Sequence, residues 1–112
     1  MQRQLAAKVR VNGVRRYDLT IDPEFKQLIP PLIQTERQQL EDNIKRDGCR
    51  EPSALWGNII IDGHNRYEIC REYNLPYDTI QVDLQSREEA IAWICANQLG
   101  KRNISDESRR YL

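Results

Sequence analysis

Asp62-Gly63-His64-Asn65-Arg66 is the stretch whose residue types and spacing could do chemistry. It follows three β-branched apolar residues, Ile59-Ile60-Ile61, and leads into Tyr67, Ile69, Cys70 and Tyr73. That pattern predicts a buried strand, a sharp turn and a helix over 65–73 with Ile69, Cys70 and Tyr73 on one face. A helix start leaves backbone N–H groups unpaired and carries the positive end of the helix dipole. Arg66 would add a planar, permanently charged fork beside it. Such a spot suits a phosphate or a carboxylate. Gly63 would tolerate positive φ and let an anion come close to the backbone. The competing reading is an ordinary tight turn, with Arg66 and His64 in solvent, and both readings stand at this point.

Three further groups bear on chemistry. Asn97 falls in the last turn of an otherwise apolar helical stripe, where an amide needs either a backbone partner or a ligand. Asp62 and His64 would amount to a metal-dependent hydrolytic site only if Asp83 or Glu68 folds next to them. Cys49, Cys70 and Cys95 are odd in number and widely spaced. They fit neither a disulfide framework nor a zinc knuckle and read as reduced thiols, two of them on apolar helix faces.

The elements that must hold these residues follow from periodicity. Val9, Val11, Tyr17, Leu19 and Ile21 alternate around Gly13, predicting an edge-type strand or loose hairpin. Asp22-Pro23 closes it, and residues 23–29 can make one helical turn with Phe25, Leu28 and Ile29 inward. Pro30-Pro31 then forces an extended segment through Ile33. Thr35 with Gln38 has capping-box spacing, and Gly48 sits where a helix stops, predicting a helix over 36–47 with Leu40 and Ile44 inward. Ala54-Leu55-Trp56 and Ile59-Ile60-Ile61 flank Gly57-Asn58 and should pair as a hairpin. Ile80, Val82 and Leu84 alternate as another strand. Ser86 with Glu89 caps a helix carrying Ala90, Ile91, Trp93, Ile94 and Asn97. Gly100 should end it, Lys101-Arg102-Asn103 connects, and Ser105 starts another helix that runs out of chain, as an excised domain would.

Composition narrows the classes. The 112 residues suffice for one modest core, and 39% apolar with 30% charged residues is a globular balance. Seventeen basic residues offset seventeen acidic ones. Zero net charge speaks against nucleic-acid binding over the whole surface but permits a local basic patch. No run reaches the ~18 apolar residues of a membrane span and no signal peptide is visible, so a cytoplasmic location is expected.

The order of these boxes resembles the N-terminal domain of the ParB/sulfiredoxin superfamily, found in chromosome-partition proteins and in plasmid and phage regulators. Leu40, Asn43-Ile44, Gly48 and Pro52 match its opening helix. Leu55 through Asp62-Gly63-His64-Asn65-Arg66 match its hairpin and glycine-arginine box. Asn97 through Lys101-Arg102 and Ser105 match its asparagine box, so the likeness runs from about Pro31 to Ser105. It implies an α+β fold in which a small mixed β-sheet carries packed helices. It also implies an N-terminal-like domain over 1–104 and, from 105–112, the start of a following helix belonging to a DNA-binding domain. In this family partition proteins bind a cytidine nucleotide. The resemblance therefore implies phosphate binding by Asp62, Gly63, His64, Asn65, Arg66, Lys101 and Arg102, with Asn97 helping to hold Mg²⁺ beside CTP or ATP. The first arginine of the box is here Asn65, and the glutamate before the asparagine is Ala96. Sulfiredoxin chemistry is not expected, because its nucleophilic thiol position is His64.

Three functional classes follow. The first is a nucleotide-binding regulatory module of a DNA-partition or gene-control protein, with DNA and a second copy of the chain as partners and no membrane. The second is a metal-dependent nuclease or nucleotide hydrolase. The third is a ligand-free DNA or protein adaptor, with phosphate contacts from Lys8, Arg10, Arg15 and Arg16 or from Lys101, Arg102, Arg109 and Arg110.

Overall fold

The computed structural model describes residues 9–11 and 19–110. Among them β1 (Val9–Val11), β2 (Ser53–Trp56), β3 (Ile59–Asp62) and β4 (Tyr77–Gln81) form one sheet in the order β1-β4-β2-β3. β1 pairs antiparallel with β4 and β2 antiparallel with β3, while β2 and β4 run parallel, so the sheet is mixed. The helices are α1 (Pro23–Gln27), α2 (Gln34–Asp47), α3 (His64–Glu72) and α4 (Arg87–Arg110). The expected α+β class and the hairpin turning through Gly57-Asn58 are present.

Strand alternation divides the core between the two sheet faces. Leu55 and Ile60 join Ile44, Tyr67, Ile69 and Tyr77 in one buried cluster, which α2 and α3 supply. Ala54 and Ile61 join Phe25, Val82, Ala90 and Ile94 in the other, which α1 and α4 supply. Ile60 and Ile61 are both wholly buried. Each side chain of this kind contributes ~1.5–3 kcal/mol by leaving water. β3 is therefore clamped on both faces, and its end at Asp62-Gly63 is a rigid base for whatever follows.

Several local signals act as expected. The Asp22 side chain accepts from the N–H groups of Glu24 and Phe25 and starts α1 at Pro23. Gly48 closes α2 with φ +85°, its N–H donating to Ile44. Ser86 accepts from the Glu89 N–H at the head of α4. The segment after Leu19 docks on β3 through a bridge between Thr20 and Ile59. Tyr17 lies outside the described residues.

Four expectations are corrected. The start of α2 lies one residue before Thr35 and two before the expected first residue. Glu36 accepts from the Ile33 N–H at 3.1 Å, so the reciprocal bond of the cap joins Ile33 and Glu36 rather than the expected Thr35 and Gln38. Tyr73 does not join Ile69 and Cys70 inside. It is 37% exposed at the end of α3, where its hydroxyl donates to Glu41 and the Lys45 ammonium lies 3.8 Å above its ring. The last strand centres on Tyr77–Gln81 rather than Ile80–Leu84, although Val82 and Leu84 are buried. Finally, the α4 backbone passes through Gly100, Lys101-Arg102-Asn103 and Ser105 without a break. Gly100 lacks the positive φ of a helix-stopping glycine. Its cost of ~1 kcal/mol within a helix is spread over good helix formers on both sides.

Of the cysteines, Cys49 and Cys70 are buried, the Cys49 thiol donating to the Glu51 carbonyl, while Cys95 is exposed rather than on the apolar face. No helix among the described residues is long and apolar enough to cross a membrane.

Candidate functional site

Gly63 adopts φ +94° and caps α3, with no side chain bonding that helix start. The residue must be glycine for a second reason besides φ. A Cβ there would lie 2.6 Å from Ser53 Oγ, 2.9 Å from Arg66 Nη2 and 3.1 Å from Ser53 Cα. The close approach that Gly63 permits is thus made first by strand β2 of the same chain.

Arg66 folds back over this turn and is not in solvent. Its side chain is 15% exposed. Nη2 donates to the Pro52 carbonyl at 3.0 Å and to Asp62 at 3.5 Å, and Nη1 pairs with Glu51 at 3.4 Å. The Nε–H is buried with no partner. Asp62 in turn accepts from Lys101 Nζ at 3.0 and 3.1 Å, so Lys101, Asp62 and Arg66 form a chain of alternating charge across the end of β3. The guanidinium also borders a cleft of about 210 Å³, shared with Asn43, Gly48, Arg50 and Glu51. Glu51 is 76% exposed on its side chain, and an anion in the cleft would compete chiefly with this weakly held carboxylate.

His64 and Asn65 leave α3 on its other flank. They line a groove of about 820 Å³ between α1, the Pro30-Pro31 segment and the start of α2. His64 is not the solvent-facing residue expected: it is 3% exposed, and neither ring nitrogen has a partner. Burial, helped by the Lys26 charge, holds its imidazole below the ordinary pKa against the pull of Asp62 and Glu68, which keeps it neutral at pH 7. Asn65 Oδ1 accepts from Arg37 at 2.9 Å. Glu68 pairs with Arg37 at 3.2 Å and Lys26 at 3.1 Å. Burial pushes the Glu68 carboxyl up, but the hydrogen bonds from Lys26 and Arg37 outweigh it and leave the group below its ordinary value.

The seven residues expected to bind phosphate thus divide. Asp62, Gly63, Arg66 and Lys101 come together, His64 and Asn65 face a different cavity, and the Arg102 side chain lies outside the described residues. So do the side chains of Lys8, Arg10, Arg15, Arg16, Arg109 and Arg110. Asn97 is half-buried on α4, one turn before Lys101, and its amide nitrogen is buried without a partner. Among the described residues no three His, Cys, Asp or Glu side chains converge as a metal site. A Mg²⁺ carried by nucleotide phosphates needs only one or two protein oxygens; the unpartnered atom of Asn97 is its amide nitrogen, a donor that does not ligate a cation, so a metal contact would fall to its side-chain oxygen. Lys26, Arg37 and Ser53 carry no site signal in the sequence. Arg37 lies inside a capping box, Lys26 in a single helical turn, and only the packing of α1 and α2 against α3 brings them to His64.

These features define an α+β domain whose polar residues gather at one strand-turn-helix corner of a mixed sheet. The fold is ParB N-terminal-like. Two solved structures of a pNOB8-like ParB N-domain match it, one with TM-score 0.67 over 84% of this chain at 21% identity. The other has TM-score 0.61 over 77% at 24% identity. In both, the chain spans 34% of the length of the solved chain. No family model matches the sequence, and no curated protein does.

Proposed function

We propose that this chain is a ParB-like nucleotide-binding regulatory module of a DNA-partition or plasmid or phage DNA-binding protein. At the Gly63–Arg66 turn, Gly63 and Arg66 take the phosphates of a nucleoside triphosphate, CTP or ATP. The observation that carries the reading is the position of Arg66. It borders an open cleft, and its outermost ion pair, with Glu51, is the exposed one. A phosphate offers a guanidinium a stronger, charge-assisted partner than a mobile surface carboxylate. The cleft holds the phosphate end only, since whole ligands usually need ~300 Å³ or more; Arg50 and Glu51, both exposed, are the residues that give way.

Lys101 and Arg102 add positive charge from α4, and Asn97 offers an oxygen to the Mg²⁺ that accompanies the phosphates. Nucleotide contact across this corner would tie β3 to the long α4. In this reading the state of that helix is passed to a DNA-binding segment beyond it and to a second copy of the chain. Calorimetric titration with CTP, ATP, GTP and UTP, each with and without Mg²⁺, tests the reading. CTP or ATP with Mg²⁺ should bind and Arg66→Ala should weaken it at least tenfold. Absence of binding by all four nucleotides would refute it.

A further inference from the structure

The groove on the opposite flank of α3 takes no part in that reading, and it has the features of a ligand site of its own. Its volume of about 820 Å³ is in the range of small-molecule pockets. One wall is apolar, built from Ile29, Pro30, Pro31 and Leu32. The other end carries Lys26, Arg37, Asn65 and Glu68, with His64 beneath them.

Two observations point to an occupant. The first is His64 itself: it is 97% buried, lines the groove, and has both ring nitrogens without partners. A neutral imidazole carries one donor and one acceptor, and burying it with neither satisfied is costly unless something in the groove bonds to it. The second is the charge balance. Lys26 and Arg37 share the single carboxylate of Glu68, at 3.1 and 3.2 Å, so the charged side chains that line the groove are two positive and one negative. The uncapped start of α3 adds partial positive charge at the same end.

We propose that this groove binds a small organic monoanion, a carboxylate on a compact apolar body. The carboxylate lies between Arg37 and Lys26, where it takes the charge that Glu68 leaves uncompensated. The His64 N–H donates to it, and the apolar body lies along Pro30, Pro31 and Leu32. A charge of minus one matches the excess, and the proline wall offers a dry surface that a fully polar anion would not use.

His64 is the chain's one histidine, so its ring resonances report on the groove without assignment ambiguity. The full chain is titrated with benzoate and with 3-methylbutyrate, and separately with acetate and benzyl alcohol, which carry only the charge or only the apolar body. Benzoate or 3-methylbutyrate should shift the His64 resonances saturably, about tenfold more tightly than either control, as expected for a charge-assisted bond combined with apolar burial. Arg37→Gln should weaken that binding about tenfold, and Lys26→Gln, on the exposed side of α1, should do so should the first variant fold poorly. Arg46→Gln removes a charge from the far end of α2 and should leave the binding unchanged. The proposal is overturned if neither carboxylate produces a saturable shift, if acetate matches them, or if the Arg37 and Lys26 variants respond as the parent does. None of these outcomes depends on whether the Arg66 cleft binds nucleotide.

Discussion

Replacing Gly63 by alanine places a methyl group where the fold has no room for one, and the cost can be worked from two sources. At φ +94° and ψ 26° an L-residue sits in the left-handed region, at about 1–2 kcal/mol. The new Cβ would also meet Ser53 Oγ at 2.6 Å and Ser53 Cα at 3.1 Å. Ser53 is 1% exposed and lies in the middle of the sheet between β3 and β4, so its backbone cannot retreat without moving both neighbours. Overpacking of this kind costs about 1–3 kcal/mol. Gly63→Ala should therefore lose about 2–5 kcal/mol, a large share of the ~5–15 kcal/mol that holds a typical domain together. Urea unfolding followed by tryptophan fluorescence would read this as a lower midpoint at unchanged slope. Ser53→Ala in the same background removes the 2.6 Å contact and should recover part of the loss. A Gly63→Ala protein within ~0.5 kcal/mol of the parent, the range of an ordinary surface change, would show that neither the dihedral nor the contact constrains this turn.

The remaining predictions concern other parts of the fold. Gly100→Ala should stabilise the protein by about 0.5–1 kcal/mol, because the position is inside a continuous helix with no atom within 4 Å of a new Cβ. A loss on denaturation would restore the helix stop at Gly100. Trp56→Phe removes the indole N–H that donates to the Leu84 carbonyl at 3.0 Å and should cost about 1–3 kcal/mol in the same assay. His64 is neutral in the fold with its pKa held below the ordinary 6.5, so the unfolded chain binds more protons as pH falls. The stability it contributes is complete above about pH 6.5 and is lost as pH falls towards its folded pKa. A pH series of urea midpoints should show that decline and His64→Phe should remove it; an unchanged pH profile in the variant would contradict the buried, neutral imidazole.

Much of the fold was legible because local signals agreed with the tertiary demand. Asp22-Pro23, Gly48 and Gly57-Asn58 each punctuate the chain where the backbone turns, and the alternation of Ala54, Leu55, Ile60 and Ile61 fits a sheet covered on both faces. Gly100 misled because the same residue type serves as a stop or as a tolerated interior position, and only φ separates the two. Tyr73 misled because helical spacing gives the face of a side chain but not where the neighbouring helix ends. At the site, the turn and its glycine could be read from the sequence, but the commitments of Arg66 could not. Pro52 and Glu51 reach it through the pairing of β2 with β3, which no spacing within 62–66 encodes. A histidine just after a tight turn is usually exposed, and no spacing within 62–66 encodes the burial of His64, which depends on long-range packing.

The proposed function stands or falls on whether the Arg66 guanidinium receives phosphate. Isothermal titration of the parent and of Arg66→Ala with CTP or ATP and Mg²⁺, each protein first shown to be folded by its amide spectrum, tests it most directly. Saturable binding to the parent with at least a tenfold loss in the variant is the predicted result. Equal binding by the two folded proteins, or none by the parent, would contradict it.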